Sequence, residues 1–316
     1  CKDNNIALVI SFLNRPSYVT AFMKSCWGYR GKIIMCERSY QSQILKYIGD
    51  QSVWYRLITK KLIHFAYQRA HLVIANSKLS KIDLQNNFAV TTPIEVIYNP
   101  VDVTMVQQLS REEKPACYTE EGVFYFIAVG NFRTEKNFEL LLHAFALIQK
   151  SFKTKLILVG SGSLENKLKQ LAADLNISTQ VRFCGFQQNP YKYIKNADCL
   201  VLSSYTEGFP NILLEALACN KAIVTTDCQS GPRELLAPST DPLYQTKSNI
   251  EIAEFGILTA VNDTQALAEG MTEIFTHKNL RIALENKAAI RVADFNIDIN
   301  IQHYQQAIGK TLSKLH

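Results

Sequence analysis

The stretch CLVLSSYTEGFPNILLEALA, residues 199–218, decides the fold. Its first five residues are an apolar run of strand length, its middle is a polar turn with Gly208 and Pro210, and residues 211–219 read as an apolar helix. The same order recurs on both sides. Residues 123–129 lead through the turn Gly130-Asn131-Phe132-Arg133-Thr134-Glu135-Lys136-Asn137 into a helix at 136–150. Strand 155–159 leads into helix 163–175, strand 181–184 into a short helix at 190–196, and strand 221–226 follows the quoted helix. Strands alternating with helices at this spacing define an α/β protein built on parallel sheets. Toward the amino end the pattern holds, with strands at 6–11, 32–36, 71–75 and 94–97 and helices at 17–27, 53–68 and 78–87.

A length of 316 residues predicts two domains, and a 47% hydrophobic content excludes disorder. Residues 103–121 lose periodicity and, with Asp102, gather acidic side chains, so the junction is expected there. The expected division is a first Rossmann-like domain at 1–121, a second of the same type at 122–296, and a closing helix at 297–316. No apolar run is long enough to span a bilayer, and residues 1–15 lack the features of a signal peptide, so the chain reads as cytoplasmic. The eight cysteines (1, 26, 36, 117, 184, 199, 219 and 228) include no C-x-x-C, and Cys36, Cys184 and Cys199 read as small buried hydrophobes.

Charge is uneven. Residues 1–100 hold 13 Lys and Arg against 5 Asp and Glu, while the remainder is slightly acidic. Within 53–71, Arg56, Lys60, Lys61 and Arg69 mix with Trp54, Tyr55, Phe65 and Tyr67, as in a helix at a membrane interface. Trp54, Leu57, Ile58, Leu62, Phe65 and Ala66 also fall near the spacing of a helix packed on a sheet, and the two readings stand side by side. The basic residues carry no nucleic-acid motif, so nucleic acid is not an expected partner.

Open α/β sheets bind ligands beyond the carboxyl ends of their strands, which singles out the turns. The turn from Gly130 puts a glycine, Arg133 and Lys136 at a helix start, suited to phosphate: Arg133 offers a bidentate fork and Lys136 a point charge. Gly160-Ser161-Gly162 begins like a dinucleotide fingerprint but has Glu165 at the third glycine, which argues against a nicotinamide cofactor. Glu207 and Glu215 stand eight apart, one ahead of the helix and one inside it. Glu207 can accept from ligand hydroxyls, Gly208, Phe209, Pro210 and Asn211 bring backbone groups to the helix start, and Glu215 can accept from a vicinal diol such as a ribose. Equally, Glu207 could cap the helix and Glu215 could be a solvated helix residue.

These motifs, taken in order, resemble glycosyltransferase family 4, of GT-B fold. The resemblance runs through G-x5-K-N at Gly130 to Asn137, the turn at Gly160 and Gly162, V-x-F-x-G-F at Val181 to Phe186, Ala197-Asp198, the E-x7-E pair, and T-D-C-x-S-G-P-x-E at Thr226 to Glu234. The subgroup it looks most like builds bacterial surface polysaccharide, lipopolysaccharide or lipid-linked oligosaccharide. The resemblance implies a retaining, metal-independent enzyme that moves a hexose or N-acetylhexosamine from a nucleotide-sugar, UDP-activated by preference, to a saccharide or lipid-linked saccharide. It assigns Arg133 and Lys136 to the donor diphosphate, Glu215 to the ribose, Glu207 to sugar hydroxyls, and Phe186 and Gln187 to the base. No cofactor or metal is expected, and no D-x-D motif is present. An anionic membrane surface is a further expected partner, with the enzyme peripheral on the inner face of the cytoplasmic membrane.

The chain departs from the family in three places. Asn131 stands where an Arg is common, with Arg133 two later. Cys36-Glu37-Arg38-Ser39 stands where many members have a His, which nominates Glu37 or Arg38, together with Arg15, for the acceptor side. Elements that precede the match to residues 6–15 in the family are not in this sequence, so a truncated first sheet and poor activity are expected. A UDP-N-acetylglucosamine epimerase of GT-B fold and an inactive nucleotide-binding fragment are the alternatives.

Overall fold

The computed structural model describes residues 6–47 and 52–313. Cys1, the rest of residues 1–5, and residues 314–316 of the expected closing helix lie outside them. The chain divides into two compact units, residues 1–99 with 298–316, and residues 100–297.

In the first unit, β1 (Leu8–Phe12), β2 (Lys32–Glu37), β3 (Leu72–Ala75) and β4 (Ile94–Val96) form a wholly parallel sheet in that order. The connecting helices are α1 (Asn14–Cys26), α2 (Gln41–Tyr47), α3 (Val53–Tyr67) and α4 (Lys78–Phe88). Both faces of the sheet are covered, which is why its strands read as continuous apolar runs. Ile33 and Met35 of β2 pack with Ala21, Ile63, Tyr67 and Leu84. Ile34 and Cys36, one residue out of phase, pack with Ala307, Tyr304 and Ile308 of a long helix at Ile297–Ser313.

The second unit opens with α5 (Val103–Ser110), where the sequence reading expected an aperiodic junction. Asp102 caps this helix by accepting from the Met105 N–H at 2.8 Å, so an acidic residue that looked like linker is a helix start. There follow β5 (Phe124–Val129), α6 (Phe138–Ile148), β6 (Thr154–Val159), α7 (Glu165–Asp174), β7 (Val181–Phe183), α8 (Tyr191–Asn196), β8 (Cys199–Leu202), α9 (Asn211–Ala218) and β9 (Ala222–Thr226). Between β9 and the closing helix the sequence pattern named no element. The fold adds α10 (Pro232–Leu236), β10 (Ile250–Ile252), β11 (Ile257–Thr259), α11 (Thr264–Thr276) and α12 (Lys278–Ala293), and the long closing helix is α13. The sheet order is β10-β11-β9-β8-β5-β6-β7, parallel except at β10.

Two readings need correction. Helix α1 starts at Asn14 and not at residue 17, so Arg15 and Pro16 sit in its first turn. The core reading of α3 holds only for its second half: Ile63, Ala66 and Tyr67 are buried, whereas Trp54 is 74% exposed and Leu57 and Ile58 lie open on the first turns. Among the described residues, no helix is long and apolar enough to cross a membrane.

Candidate active site

Strands β5 and β8 are neighbours in the sheet, so the turns at their carboxyl ends lie side by side although they are far apart in sequence. The β5 turn runs through a short 3₁₀ segment at Thr134–Lys136, and Asn137, in the left-handed region, caps α6. The helix therefore starts at Phe138, and Lys136 stands on the 3₁₀ turn ahead of it. Tyr205 N–H donates to the Glu135 carbonyl at 2.9 Å and Ser203 Oγ to the Lys136 carbonyl at 3.0 Å, which fastens the two turns together.

This brings Lys136 Nζ to 2.7 Å from Glu207 Oε1. Ser204 Oγ donates to the same oxygen at 2.6 Å, and the Glu207 side chain is only 9% exposed. The capping alternative for Glu207 is thereby displaced: its carboxylate faces a cation and a hydroxyl, and α9 has no side-chain cap. Arg133, the other basic residue of the β5 turn, is exposed.

Beneath Glu207 lies a second loop. Glu207 N–H donates to the Gln229 carbonyl and Ser230 N–H to the Glu207 carbonyl, each at 3.1 Å, while Ser230 Oγ donates to the Gly208 carbonyl. At Gly231 a Cβ would stand 2.5 Å from Pro210 Cδ, so only glycine lets the loops approach this closely. The loop is anchored by Arg233, whose buried guanidinium donates to Asp227 Oδ2 (Nη2, 2.6 Å) and Glu251 Oε2 (2.6 Å) and also reaches Thr240 and Thr246. Sequence reasoning named none of Ser204, Ser230, Arg233 or Asp227 as site residues. The run T-D-C-x-S-G-P-x-E contained three of them.

Glu215, inside α9, is mostly buried with no cation beside it among the described residues, and burial pushes its carboxyl up to about 7. The reading as a solvated helix residue is thus corrected. Phe209 and Pro210 are buried, Gly208 is part-exposed and Asn211 is exposed at the helix start. On the next turn, Phe186 is 72% exposed and Gln187 Nε2 donates to the Cys184 carbonyl at 2.7 Å. The glycines at 160 and 162 serve packing: a Cβ would meet the Gly130 carbonyl oxygen at 1.9 Å in one case and that of Phe132 at 2.5 Å in the other. They seat the β6 turn against the backbone of the β5 turn.

In the first unit the structure separates two neighbours in sequence. Glu37 is fully buried and accepts from the N–H groups of Arg38 and Ser39, from Gln41 and from Tyr67 at 2.8–2.9 Å; burial raises its carboxyl while these bonds oppose the shift. The Arg38 guanidinium turns away to Asn99 and to Tyr304 of α13, so the pair is not an ion pair. Glu37 and Arg15 instead line one cavity of about 300 Å³ with Asn14, Ser39 and Gln41, and Arg38 is not part of it.

A two-unit α/β fold with basic and carboxylate-bearing turns joined at the carboxyl ends of adjacent parallel strands is the architecture of GT-B glycosyltransferases. Solved structures agree in fold: a sucrose-phosphate synthase from Thermosynechococcus elongatus has a TM-score of 0.80 at 18% identity, covering 98% of this chain and 74% of its own. Anabaena Alr3699/HepE in complex with UDP and glucose has a TM-score of 0.76 at 20% identity, covering 99% and 80%. Residues 110–291 match the sequence model of the family described as glycosyl transferases group 1. A Campylobacter jejuni relative, N-acetylgalactosamine-N,N'-diacetylbacillosaminyl-diphospho-undecaprenol 4-alpha-N-acetylgalactosaminyltransferase, is 31% identical over 297 residues, which are 94% of this chain and 74% of the relative. The lipopolysaccharide 1,6-galactosyltransferase of Escherichia coli is 29% identical over 260 residues, 78% and 69% of the two chains. The chain belongs to the glycosyl transferases group 1 family, and it is a hexosyltransferase.

Proposed function

We propose that this enzyme transfers a hexose or N-acetylhexosamine, with retention and without a metal, from a nucleotide-sugar to a lipid-linked or lipopolysaccharide acceptor. A UDP-sugar is the first choice of donor and GDP-mannose the second. The observation that carries the reading is the 2.7 Å contact between Lys136 and Glu207, which joins a phosphate-type cation to a sugar-type acceptor. In the transfer, Lys136 and Arg133, with the backbone N–H groups at the start of α9, stabilise charge growing on the leaving diphosphate. Glu207 accepts from hydroxyls of the donor sugar, Glu215 from the ribose, and Phe186 and Gln187 flank the base. The printed names of the Campylobacter and Escherichia coli relatives, one with a diphospho-undecaprenol acceptor and one with lipopolysaccharide, support the choice of acceptor. The exposed apolar start of α3, with exposed Arg56, Lys60 and Lys61, supports attachment to an anionic membrane surface, on the inner face of the cytoplasmic membrane.

Calorimetric titration with UDP and with GDP in EDTA tests the donor site. One nucleotide binds without metal, and both Lys136→Ala and Glu215→Ala weaken it. Binding that requires a divalent cation, or that ignores both changes, overturns the reading.

A further inference from the structure

The loop beneath Glu207 is held by a buried cluster to which the proposed transfer gives no part. Arg233 Nε and Nη2 both donate to Asp227 Oδ2, at 3.1 and 2.6 Å, and the Arg233 side chain is 3% exposed. Asp227 follows β9 directly and Arg233 is the second residue of α10, so this pair closes the loop 228–231 from both ends. The guanidinium also donates to both oxygens of Glu251 on β10, at 3.2 and 2.6 Å. Thr246 N–H donates to Asp227 Oδ2 at 2.7 Å and Gln245 Nε2 to the Asp227 carbonyl at 2.8 Å, which draws the segment 237–249 across the end of β9 as well. The Tyr244 ring lies 4.8 Å from the guanidinium carbon. Buried ion pairs are often no more stabilising than apolar groups of the same shape, so stability by itself does not account for this one.

What this cluster holds is the main chain around Glu207. Thr226 Oγ1 donates to the Ser204 carbonyl at 2.7 Å. Thr206 Oγ1 and Glu207 N–H both donate to the Gln229 carbonyl, at 2.9 and 3.1 Å, and Ser230 N–H donates to the Glu207 carbonyl at 3.1 Å. Each of these bonds ties the turn 204–208 to the segment 226–230. We propose that Arg233 is a positioning residue for the donor sugar: by closing the loop 228–231 against Asp227 and Glu251 it fixes the Glu207 carboxylate where the sugar hydroxyls meet it. The proposal rests on the reading of Glu207 given above. The role calls for a guanidinium, whose planar fork meets Asp227 and Glu251 at once, whereas a lysine offers a single point charge. A loop freed to shift carries the Glu207 main chain with it, while Lys136 stays on the β5 turn. The contact that suffers is therefore the one to the sugar, and the contact to the diphosphate is kept.

The test is calorimetry on the full chain with UDP and with UDP-glucose, UDP-galactose and their N-acetylhexosamine counterparts, the tightest-binding UDP-sugar being carried forward; if the chain selects GDP, GDP and GDP-mannose take their place. The readout is the ratio of the affinity for the nucleotide-sugar to that for the nucleotide, which a general loosening of the fold does not move. Arg233→Lys keeps a cation beside the two carboxylates and loses the fork. It is expected to lower the ratio roughly tenfold, the usual worth of a hydrogen bond to a charged group, with nucleotide affinity within about twofold of wild type. Glu207→Ala is expected to lower the ratio at least as far, and Arg233→Lys added to it to lower the ratio no further, as for residues of which one acts through the other. Glu251→Gln, at a part-exposed side chain, is expected to lower the ratio by a smaller factor, and it decides by the same comparison if Arg233→Lys does not melt cooperatively. An unchanged ratio in the folded variant, or an equal fall in the Glu207→Ala background, overturns the positioning role. A Glu207→Ala protein whose ratio matches wild type, or a wild type that binds none of these nucleotide-sugars, counts against the reading of Glu207 itself, and the positioning role falls with it.

Discussion

Glu207 is held by one cation and one hydroxyl, and Lys136 has a carboxylate as its near neighbour where the diphosphate reading asks it to meet phosphate. The two demands predict effects of opposite kind. Glu207→Gln is expected to lower the rate of transfer about 100-fold or more, the usual loss when a group acting in the transition state is removed. UDP is expected to bind that variant at least as tightly as wild type, because Lys136 no longer shares its charge; steady-state kinetics and calorimetry read the two effects separately. Glu215 adds a pH dependence. Its folded carboxyl is raised from 4.5 to about 7 by burial, so the folded state holds the proton more tightly than the unfolded state. The resulting stability is complete below pH 4.5 and is lost as pH rises to about 7, a change on the order of 3 kcal/mol. The melting temperature of wild type relative to Glu215→Gln should fall across that window. A ribose prefers the carboxylate, so UDP affinity should rise with pH through 7, and Glu215→Gln should flatten the rise. The residue types were legible in the sequence, because carboxylates and cations in turns after strands have few other uses. Their environment was not: that Glu215 lacks a cation and Glu207 has one depends on which turns become neighbours.

Among the elements, the glycines of the β6 turn were read as a weak nucleotide fingerprint, and packing explains them better. Gly162→Ala would put a Cβ 2.5 Å from the Phe132 carbonyl oxygen and 2.7 Å from its nitrogen, with backbone and not a flexible side chain in the way. A loss of about 1–3 kcal/mol in denaturant melts is expected, the usual cost of overpacking, together with weaker UDP binding because the β5 turn must shift. Helix α3 shows the opposite limit of pattern reading. Its heptad-like spacing was compatible with core and with membrane contact, and periodicity cannot distinguish a face that meets protein from one that meets lipid. Only the observed exposure of Trp54, Leu57 and Ile58 separates its outer turns from the buried Ile63, Ala66 and Tyr67. The reverse error occurred at α5, where eight residues with an Asp cap were too short to establish a period.

For the whole molecule, the basic excess of the first 100 residues and the exposed start of α3 predict binding to vesicles that contain anionic lipid. In co-sedimentation, binding should fall with added salt as the charges are screened, and Trp54→Glu with Ile58→Glu should abolish it. Because both side chains are exposed, the double variant should melt within about 0.5 kcal/mol of wild type. The sequence by itself determined the α/β class, the two-part organisation and the family, and it nominated the carboxylates and cations of the candidate site, since alternating periodicity and ordered turn motifs are local properties of a chain. Strand order is not local. That β8 lies beside β5, that Lys136 therefore meets Glu207 across 71 positions, and that Arg38 parts from Glu37 were decided only in the tertiary structure. Sheet pairing is set by which faces can be buried together, a sum over many distant side chains that no single segment carries.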